Sequence, residues 1–300
     1  MANTSIEWTD KVWNPVTGCT KVSAGCKNCY AERMMGRNLP GMTQKFTDVV
    51  CHPERLEAPL HWRKPSRIFV NSMSDLFHKD VPDEFIVSVF AIAAICHRHI
   101  FQILTKRPER MPRLIPKTLG DAADWLEGAV EKMLGEYAAL ANWPLPNVWL
   151  GVSVENQETA DERIPLLLQT PAAVRFVSYE PALGPVDFSP WLHKRFPSTM
   201  HKGQLERIDQ IICGGESGPG ARPMHPEWAR SVRDQCKAAG VPFFFKQWGE
   251  WLGPMQDGAQ LLGGGQQLNC TTLPVRIGKK AAGCLLDGVE HKEFPEVARG

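Results

Sequence analysis

The sequence has no long apolar run and no apolar N-terminal segment. None of its 300 residues belongs to a run of 18 consecutive apolar residues, which excludes an ordinary membrane-spanning helix. Residues 1–15 are polar and aromatic, so they lack the apolar stretch of a secretory signal. We accordingly expect a cytoplasmic protein with no membrane partner.

The sequence also has almost no net charge. Lys and Arg together number 34 and Asp and Glu 33, which leaves a net charge of +1. A strongly basic chain would favour nucleic acid as a partner. A balanced chain neither favours nor excludes it, because a local basic patch is compatible with a neutral total.

Cysteines are few, but three of them are crowded together. The chain has nine, an odd number, and Cys19, Cys26 and Cys29 lie within eleven residues. Thiols stay reduced in the cytoplasm. The crowding therefore predicts metal binding or catalysis rather than disulfides.

Short apolar runs alternate with helical stretches along most of the chain. Runs rich in β-branched and aromatic residues predict strands buried on both faces; they lie within 67–75, 99–108, 148–156, 174–181, 208–218 and 241–251. Apolar residues at helical spacing predict helices at 83–98, 158–170 and 225–240. This alternation predicts βαβ units around a parallel sheet, and about six units fit a barrel or partial barrel better than a small open sheet.

Two segments depart from the alternation. Residues 113–145 predict a helical insertion between two strands, and residues 252–300 form a Gly-rich, turn-rich appendage. We therefore predict one barrel over residues 1–251, with the extension 252–300 packed on the same domain.

The cysteine motif has the spacing C-x6-C-x2-C in GCTKVSAGCKNCYAER. A [4Fe–4S] cluster normally takes four thiolates, so three cysteines leave one iron open to chelate S-adenosylmethionine. A structural zinc site is the alternative, made of Cys19, the Cys26 and Cys29 pair and a histidine. Three unrelated core cysteines are a further alternative. The spacing alone does not decide among these.

Much of the chain resembles a known family. The matching stretches are WTDKVWNPVTGCTKVSAGCKNCYAER, RIFVNSMSDLFHKDVP, ILTKRPERM, GVSVENQ, VSYEPALGPVD, IICGGESGPGARPMHPEWAR and FFFKQWGEW, which run from residue 8 to residue 251. Together they resemble a phage- and prophage-encoded family known for a three-cysteine motif and grouped with radical S-adenosylmethionine (radical SAM) proteins. The resemblance implies a partial (β/α)6 TIM-like barrel, a [4Fe–4S] cluster and S-adenosylmethionine. An external electron donor of the flavodoxin or ferredoxin type is expected as well.

Polar residues at the ends of the predicted strands are candidates for binding the cofactor, because barrels place their chemistry at the carboxyl ends of strands. Ser72, Ser74 and Asp75 are expected to bind the methionine amino group. Ser153 and Glu155 are expected to bind the ribose of S-adenosylmethionine.

Further candidates lie at the same strand ends and beside the cysteines. Gly214 and Gly215 would let the backbone approach a ligand closely. Tyr30 would pack on adenine or cover the cluster, although the usual radical pattern has its aromatic residue where this chain has Asn28. The predicted catalytic residues are Lys106, Glu180, Glu216 and Lys246.

The resemblance also suggests a substrate. Its phage context favours rearrangement of a substituent on a modified thymine base, in DNA or as a nucleotide, in the cytoplasm of a bacterial host. Trp62 and Arg63 would line the approach of that base. Repair of a pyrimidine photoproduct by a lyase is one alternative. A non-enzymatic nucleic-acid-binding or protein-binding module with a structural metal is the other.

Overall fold

The computed structural model describes residues 4–36, 44–134, 141–193, 207–252 and 274–296. The strands in these residues are β1 (Lys11–Trp13), β2 (Val16–Thr17), β3 (Val50–Cys51), β4 (Arg67–Val70), β5 (Ile100–Thr105), β6 (Val148–Val154), β7 (Val174–Tyr179), β8 (Gln210–Gly214), β9 (Phe243–Gln247), β10 (Trp251–Leu252), β11 (Val275–Arg276), β12 (Leu285–Leu286) and β13 (Val289–Glu290). The α-helices are α1 (Tyr30–Met35), α2 (Asp83–Ile95), α3 (Met111–Leu114), α4 (Leu119–Leu134), α5 (Gln157–Leu168), α6 (Ser189–Leu192), α7 (Pro226–Ala239) and α8 (Lys279–Ala282). None of the helices in the described ranges is both long and apolar enough to cross a membrane.

Seven of the strands form one sheet in the order β1-β4-β5-β6-β7-β8-β9. Every neighbouring pair in this sheet is parallel. Because each new strand is added on the same side of the previous one, right-handed crossovers place the connecting helices on one face. The sheet curls around its other face, so the protein is an α/β partial TIM-like barrel, as the sequence predicts.

The two faces of the sheet bury different sets of side chains. Most of the apolar core lies between the strands and the helices. A smaller aromatic cluster fills the concave inner face, where Trp8 packs 4.7 Å from Phe69 of β4 and 6.1 Å from Phe176 of β7 between ring centroids. Side chains from strands that are far apart in the sheet order meet here, which is what curling requires.

Alternation along each strand determines which residues reach the inner face. On β6, Trp149 and Gly151 face inward, and Ser153 follows them on the same face. On β7, Phe176 faces inward and Glu180 lies beyond the strand end. The inner face is therefore apolar toward the amino ends of the strands and polar toward their carboxyl ends.

The elements predicted from the sequence are present. All six predicted strands form, as β4 to β9, and the three predicted helices form as α2, α5 and α7. Helix α7 ends at Ala239 and is capped by Gly240, whose φ of 62° lies in the left-handed region. The seventh sheet strand, β1, is missed, because three residues are too few to show a pattern.

The insertion and the C-terminal segment both contact the barrel. Helix α4 lies in the predicted insertion and packs Trp125 against Phe90 of α2 at 5.2 Å. In the C-terminal segment, the carbonyl of His291 accepts a hydrogen bond from the Phe245 amide of β9. Residues 135–140 and 253–273 lie outside the described residues, and the division into domains stays a prediction.

Candidate active site

A cavity of 410 Å³ opens at the carboxyl ends of the sheet strands. Its floor is the apolar inner face, where Trp8, Phe69 and Leu104 line it. Its wall combines polar strand ends with the three clustered cysteines, Cys19, Cys26 and Cys29. The cavity is within the range of about 300–1,000 Å³ that is typical of ligand sites.

The three cysteines lie on one short segment, residues 19–29, which we call the cysteine loop. It follows Gly18, whose φ of 85° and close approach to the Asp48 carbonyl leave no room for a Cβ atom. A 3-10 turn spans Ala24–Cys26, and Cys29 directly precedes α1. All three thiols are partly exposed and free of disulfides.

Arg107 and Asp75 hold the start of the cysteine loop. Arg107 Nη2 donates to the carbonyl and the hydroxyl of Thr20 at 2.7 and 2.9 Å, and Nη1 lies 3.4 Å from Cys19 Sγ. Asp75 Oδ2 accepts from Nη1 at 3.3 Å. Burial raises the pKa of the Cys19 thiol to about 11 and the Asp75 charge adds to this, while Arg107 opposes it.

Glu155 holds the middle of the cysteine loop. Ser23 Oγ donates to Glu155 Oε1 at 2.9 Å, and Lys106 Nζ is 3.0 Å from the same oxygen. Arg163 Nη1 lies 3.2 Å from Oε2. Burial acts to raise the pKa of this carboxyl, but Lys106 and Arg163 outweigh it and the net shift is downward. The carboxylate is therefore ionised and fully engaged by the protein.

Glu216 holds the end of the cysteine loop. Asn28 Nδ2 donates to Glu216 Oε2 at 3.1 Å and to the Gly220 carbonyl at 2.7 Å. The Arg222 guanidinium forms a fork on Glu216, with contacts of 2.8 and 2.7 Å, and also reaches the Ala24 carbonyl at 3.0 Å. Burial acts to raise the pKa of Glu216, but these hydrogen bonds lower it overall.

Glu180 and Lys246 form an ion pair in the cavity wall. Lys246 Nζ lies 2.7 and 3.0 Å from the two carboxylate oxygens. Gln247 Nε2 is 3.4 Å from the same carboxylate. Both charged residues line the cavity. Unlike Glu155 and Glu216, this pair makes no hydrogen bond to the cysteine loop among the described residues.

The residues predicted to bind cofactor lie together, but several are engaged by the protein. Those that line the cavity are Tyr30, Ser72, Ser74, Asp75, Ser153 and Gly215, along with the predicted catalytic residues Lys106, Glu180, Glu216 and Lys246. Tyr30 Oη donates to the Ser72 carbonyl, and Ser74 Oγ donates to the Val16 carbonyl at 2.8 Å. Glu155 and Gly214 are not in the lining; Gly214 lies behind the Glu180 and Lys246 pair.

Sequence reasoning misses the side chains that hold the cysteine loop. It selects Lys106 at the end of β5 and passes over the adjacent Arg107, and it does not select Arg163 or Arg222. The sequence shows Arg107 only as a neighbour of Lys106 at a strand end, and it shows Arg163 and Arg222 only as arginines eight and six residues after a selected carboxylate. Nothing in the sequence states which carboxylate each arginine contacts.

Trp62 does not lie where the sequence-based hypothesis put it. The Lys11 ammonium is 4.5 Å from the centroid of the Trp62 ring, and the His99 ring lies 6.2 Å away. Lys11 begins β1 and His99 precedes β5, so Trp62 is at the amino ends of the strands, opposite the cavity. Neither Trp62 nor its neighbour Arg63 lines the cavity. The prediction was wrong because proximity to basic residues does not tell which end of the barrel a segment covers.

The donor set of the cysteine loop fits a polynuclear iron–sulfur cluster. Its three cysteines line one cavity, and none of them is in a disulfide. In the described part of the chain, no three His, Cys, Asp or Glu side chains meet closely enough to hold a single metal ion. A cluster differs from a single ion in that its thiolates bind separate iron atoms. The three cysteines would each ligate one iron of such a cluster.

These features define an α/β partial barrel with three cysteines at the carboxyl ends of its strands. The chain belongs to the family described as "Protein of unknown function (DUF5131)", whose model matches residues 3–295. None of the curated proteins matches it. Among solved structures, a mutant of spore photoproduct lyase is similar, with a TM-score of 0.41 and 8% identity, over 79% of this chain and 75% of that chain. At this TM-score, the likeness says nothing about substrate or reaction.

Proposed function

We propose that this protein is a radical SAM enzyme in which Cys19, Cys26 and Cys29 hold a [4Fe–4S] cluster. The observation that carries the proposal is that all three cysteines line one cavity, at the end of the barrel where such folds place their chemistry. The electron is expected from an external donor of the flavodoxin or ferredoxin type. When bound, the cluster and S-adenosylmethionine supply the means to abstract hydrogen from an unactivated carbon.

The protein's own residues have three tasks in this proposal. The networks around Asp75, Glu155 and Glu216 fix the cysteine loop before any ligand binds. The apolar floor around Trp8 and Phe69 excludes water from the place where a reactive species would otherwise be quenched. Ser72 and Ser153 present polar groups at the strand ends to the bound S-adenosylmethionine.

Anaerobic reconstitution tests the proposal. The chain should take up about four irons, as one cubane requires. With a reductant, it should convert S-adenosylmethionine into 5′-deoxyadenosine and methionine. Replacing Cys19, Cys26 or Cys29 by Ala should abolish both the uptake of iron and the cleavage of S-adenosylmethionine. Cys284→Ala is the matched control, because Cys284 is also partly exposed but does not line the cavity. Stoichiometric zinc without iron would contradict the proposal.

For the substrate, we propose a modified thymine base that carries a zwitterionic, amino-acid-like substituent and is rearranged by the enzyme. The Glu180 and Lys246 pair supports this choice. A zwitterion can insert between the partners, so that Lys246 binds its carboxylate and Glu180 binds its ammonium group. The resemblance to phage-encoded proteins supports the choice of base. A base within duplex DNA would have to be flipped out to enter the cavity.

Deuterium labelling tests the substrate proposal. Modified DNA, or its nucleoside, is prepared with deuterium on the substituent and incubated with reconstituted enzyme. Transfer of deuterium into 5′-deoxyadenosine supports the proposal. Transfer from a pyrimidine dimer would favour photoproduct repair instead, and transfer only from a peptide or small metabolite would remove nucleic acid altogether.

A further inference from the structure

The Arg107 side chain is buried against the sulfur of Cys19. Only 7% of the residue is exposed. Its Nη1 atom lies 3.4 Å from Cys19 Sγ and 3.3 Å from Asp75 Oδ2. Within the described residues, Cys19 is the member of the trio whose sulfur accepts a hydrogen bond from a charged side chain. For Cys26, the contact is the neutral hydroxyl of Ser23 at 4.0 Å.

The guanidinium is fixed from two sides. Nη2 donates to the carbonyl and hydroxyl of Thr20, which directly follows Cys19 in the chain. Asp75 is itself anchored, because its carboxylate accepts from Thr105 Oγ1 at 2.7 Å and from the amides of Phe77 and Lys106, both at 3.0 Å. Asp75 is 5% exposed. The direction of the Nη1 hydrogen bond toward the sulfur is therefore set by the fold and not by chance contact.

A hydrogen bond to a ligating sulfur has a known electrostatic effect. One-electron reduction adds a negative charge to an iron–sulfur cluster, and part of that charge lies on the sulfur ligands. A donor that carries positive charge stabilises the reduced form more than the oxidised form, and it does so more strongly where water is excluded. The nearby Asp75 carboxylate reduces the net charge of the pair, but the hydrogen bond itself points at the sulfur.

We propose that Arg107 is a positioning residue that raises the reduction potential of the cluster through its hydrogen bond to Cys19. This rests on the proposed function, since it requires the cluster. The electron is supplied by an external one-electron reductant, and the step breaks no bond and transfers no proton. Asp75 contributes by holding the guanidinium, so the predicted contact of Asp75 with the methionine amino group is not needed to explain its burial.

The experiment compares four reconstituted proteins: the natural chain, Arg107→Met, Arg107→Lys and the control Arg110→Met. Iron and sulfide are counted in each, and the midpoint potential is measured by a titration followed by electron paramagnetic resonance. Arg110 is a suitable control because it is three residues away and donates to the carbonyls of His78 and Val81 and to Asp83, with no sulfur contact.

At a fixed solution potential, Arg107→Met should lower the ratio of reduced to oxidised cluster by roughly tenfold, which is about 59 mV for a one-electron couple. Arg107→Lys keeps the charge but loses the planar fork that Thr20 and Asp75 hold, so it should still lower the midpoint, though by less than Arg107→Met. Arg110→Met should not shift it. An unchanged midpoint in an Arg107→Met protein with full iron content overturns the inference. If Arg107→Met holds too little iron to titrate, an unchanged midpoint in Arg107→Lys overturns the inference instead. A natural chain that forms no iron–sulfur cluster overturns the proposed function, and the inference with it.

Discussion

At the residue scale, pairing between carboxylates and arginines holds the site and its surroundings in place. Asp75 pairs with Arg107, Glu155 with Arg163 and Glu216 with Arg222. Each of these networks also reaches the cysteine loop. Breaking one partner of such a buried pair is costly, because it leaves a charge without compensation. These three carboxylate–arginine pairs therefore act first as supports for the cysteine loop, whereas Glu180 and Lys246 do not.

A similar pairing on the outer side of the barrel gives a prediction about pH. Asp287 and Gly288 form the two-residue turn between β12 and β13, with φ values of 53° and 77°. Hydrogen bonds from Arg230 and Arg233 lower the pKa of Asp287. A lowered pKa in the folded state means that the stabilisation is present above the unfolded pKa, near 3.9, and is lost as pH falls through the folded value.

Asp287→Asn keeps the turn geometry, since Asn tolerates a positive φ, but removes the charge. We expect the free energy of unfolding to fall by about 1 kcal/mol at pH 7, a modest value because the side chain is partly exposed. In urea titrations, the difference in unfolding free energy between the variant and the natural chain should be constant from pH 7 to about 5. It should shrink as the pH falls below about 4. Asp234→Asn is the control: Asp234 pairs with Arg233 but is 64% exposed, so little change is expected. A gap that widens as pH falls would contradict the assignment.

The sequence predicts where the site residues lie better than it predicts which residues they contact by hydrogen bonds and ion pairs. The three cysteines and the polar strand ends follow from local patterns, and ten of the twelve other selected residues line the same cavity. The partners do not follow, because Ser23 and Glu155 are 132 residues apart and Asn28 and Glu216 are 188 apart. Which of the carboxylates holds the loop and which faces a ligand depends on these distant contacts.

At the element scale, long apolar runs were predictable and short pairings were not. Strands β4 to β9 are almost entirely buried on both faces and therefore have a strong local signal. Strand β1 has three residues, and it pairs with β4, whose residues lie 57 positions further along the chain. Strands β2 and β3 have two residues each, and their pairing places the cysteine loop. Such pairings depend on tertiary contacts that no local pattern contains.

The cysteine loop is an element whose packing against the barrel can be tested at Gly25. A Cβ atom there would lie 2.4 Å from Glu155 Oε1, and the Glu155 side chain is held by Lys106 and Arg163. Gly25→Ala must therefore displace the loop, at a cost of about 1–3 kcal/mol. We expect about tenfold faster amide hydrogen exchange in residues 19–29, together with weaker retention of iron.

Gly128→Ala is the matched control. Gly128 lies within α4, and a Cβ atom there meets nothing within 4 Å. Alanine in a helix interior is about 0.5–1 kcal/mol more favourable than glycine, so this variant should be slightly more stable, with unchanged exchange in the cysteine loop. If Gly25→Ala also leaves amide hydrogen exchange in the cysteine loop unchanged, Glu155 does not fix the loop.

At the scale of the whole molecule, the curl of the sheet depends on the sizes of the side chains on its inner face. Large aromatic residues from β4, β7 and β9 and from the N-terminal segment share this space. A glycine on β6 makes room for one of them: a Cβ atom at Gly151 would lie 2.5 Å from the Phe176 ring. The sequence does not show this complementarity, because both faces of these strands are apolar and only the fold distinguishes them.

Substitutions at Gly151 and Phe176 therefore test the packing of the barrel interior. Gly151→Ala should destabilise the protein by about 1–3 kcal/mol through overpacking, and Phe176→Leu by about 1–3 kcal/mol through a void. In the double variant, the smaller leucine makes room for the added methyl group. Its loss of unfolding free energy, measured by urea titration, should therefore be smaller than the sum of the two single losses by at least about 0.5 kcal/mol. Gly151→Ala combined with Val232→Ala is the control: Val232 is buried on α7 outside the sheet, and the two effects should add. Additive losses for Gly151 and Phe176 would mean that the two side chains do not share one interior layer, and the inward direction assigned to β6 and β7 would then be wrong.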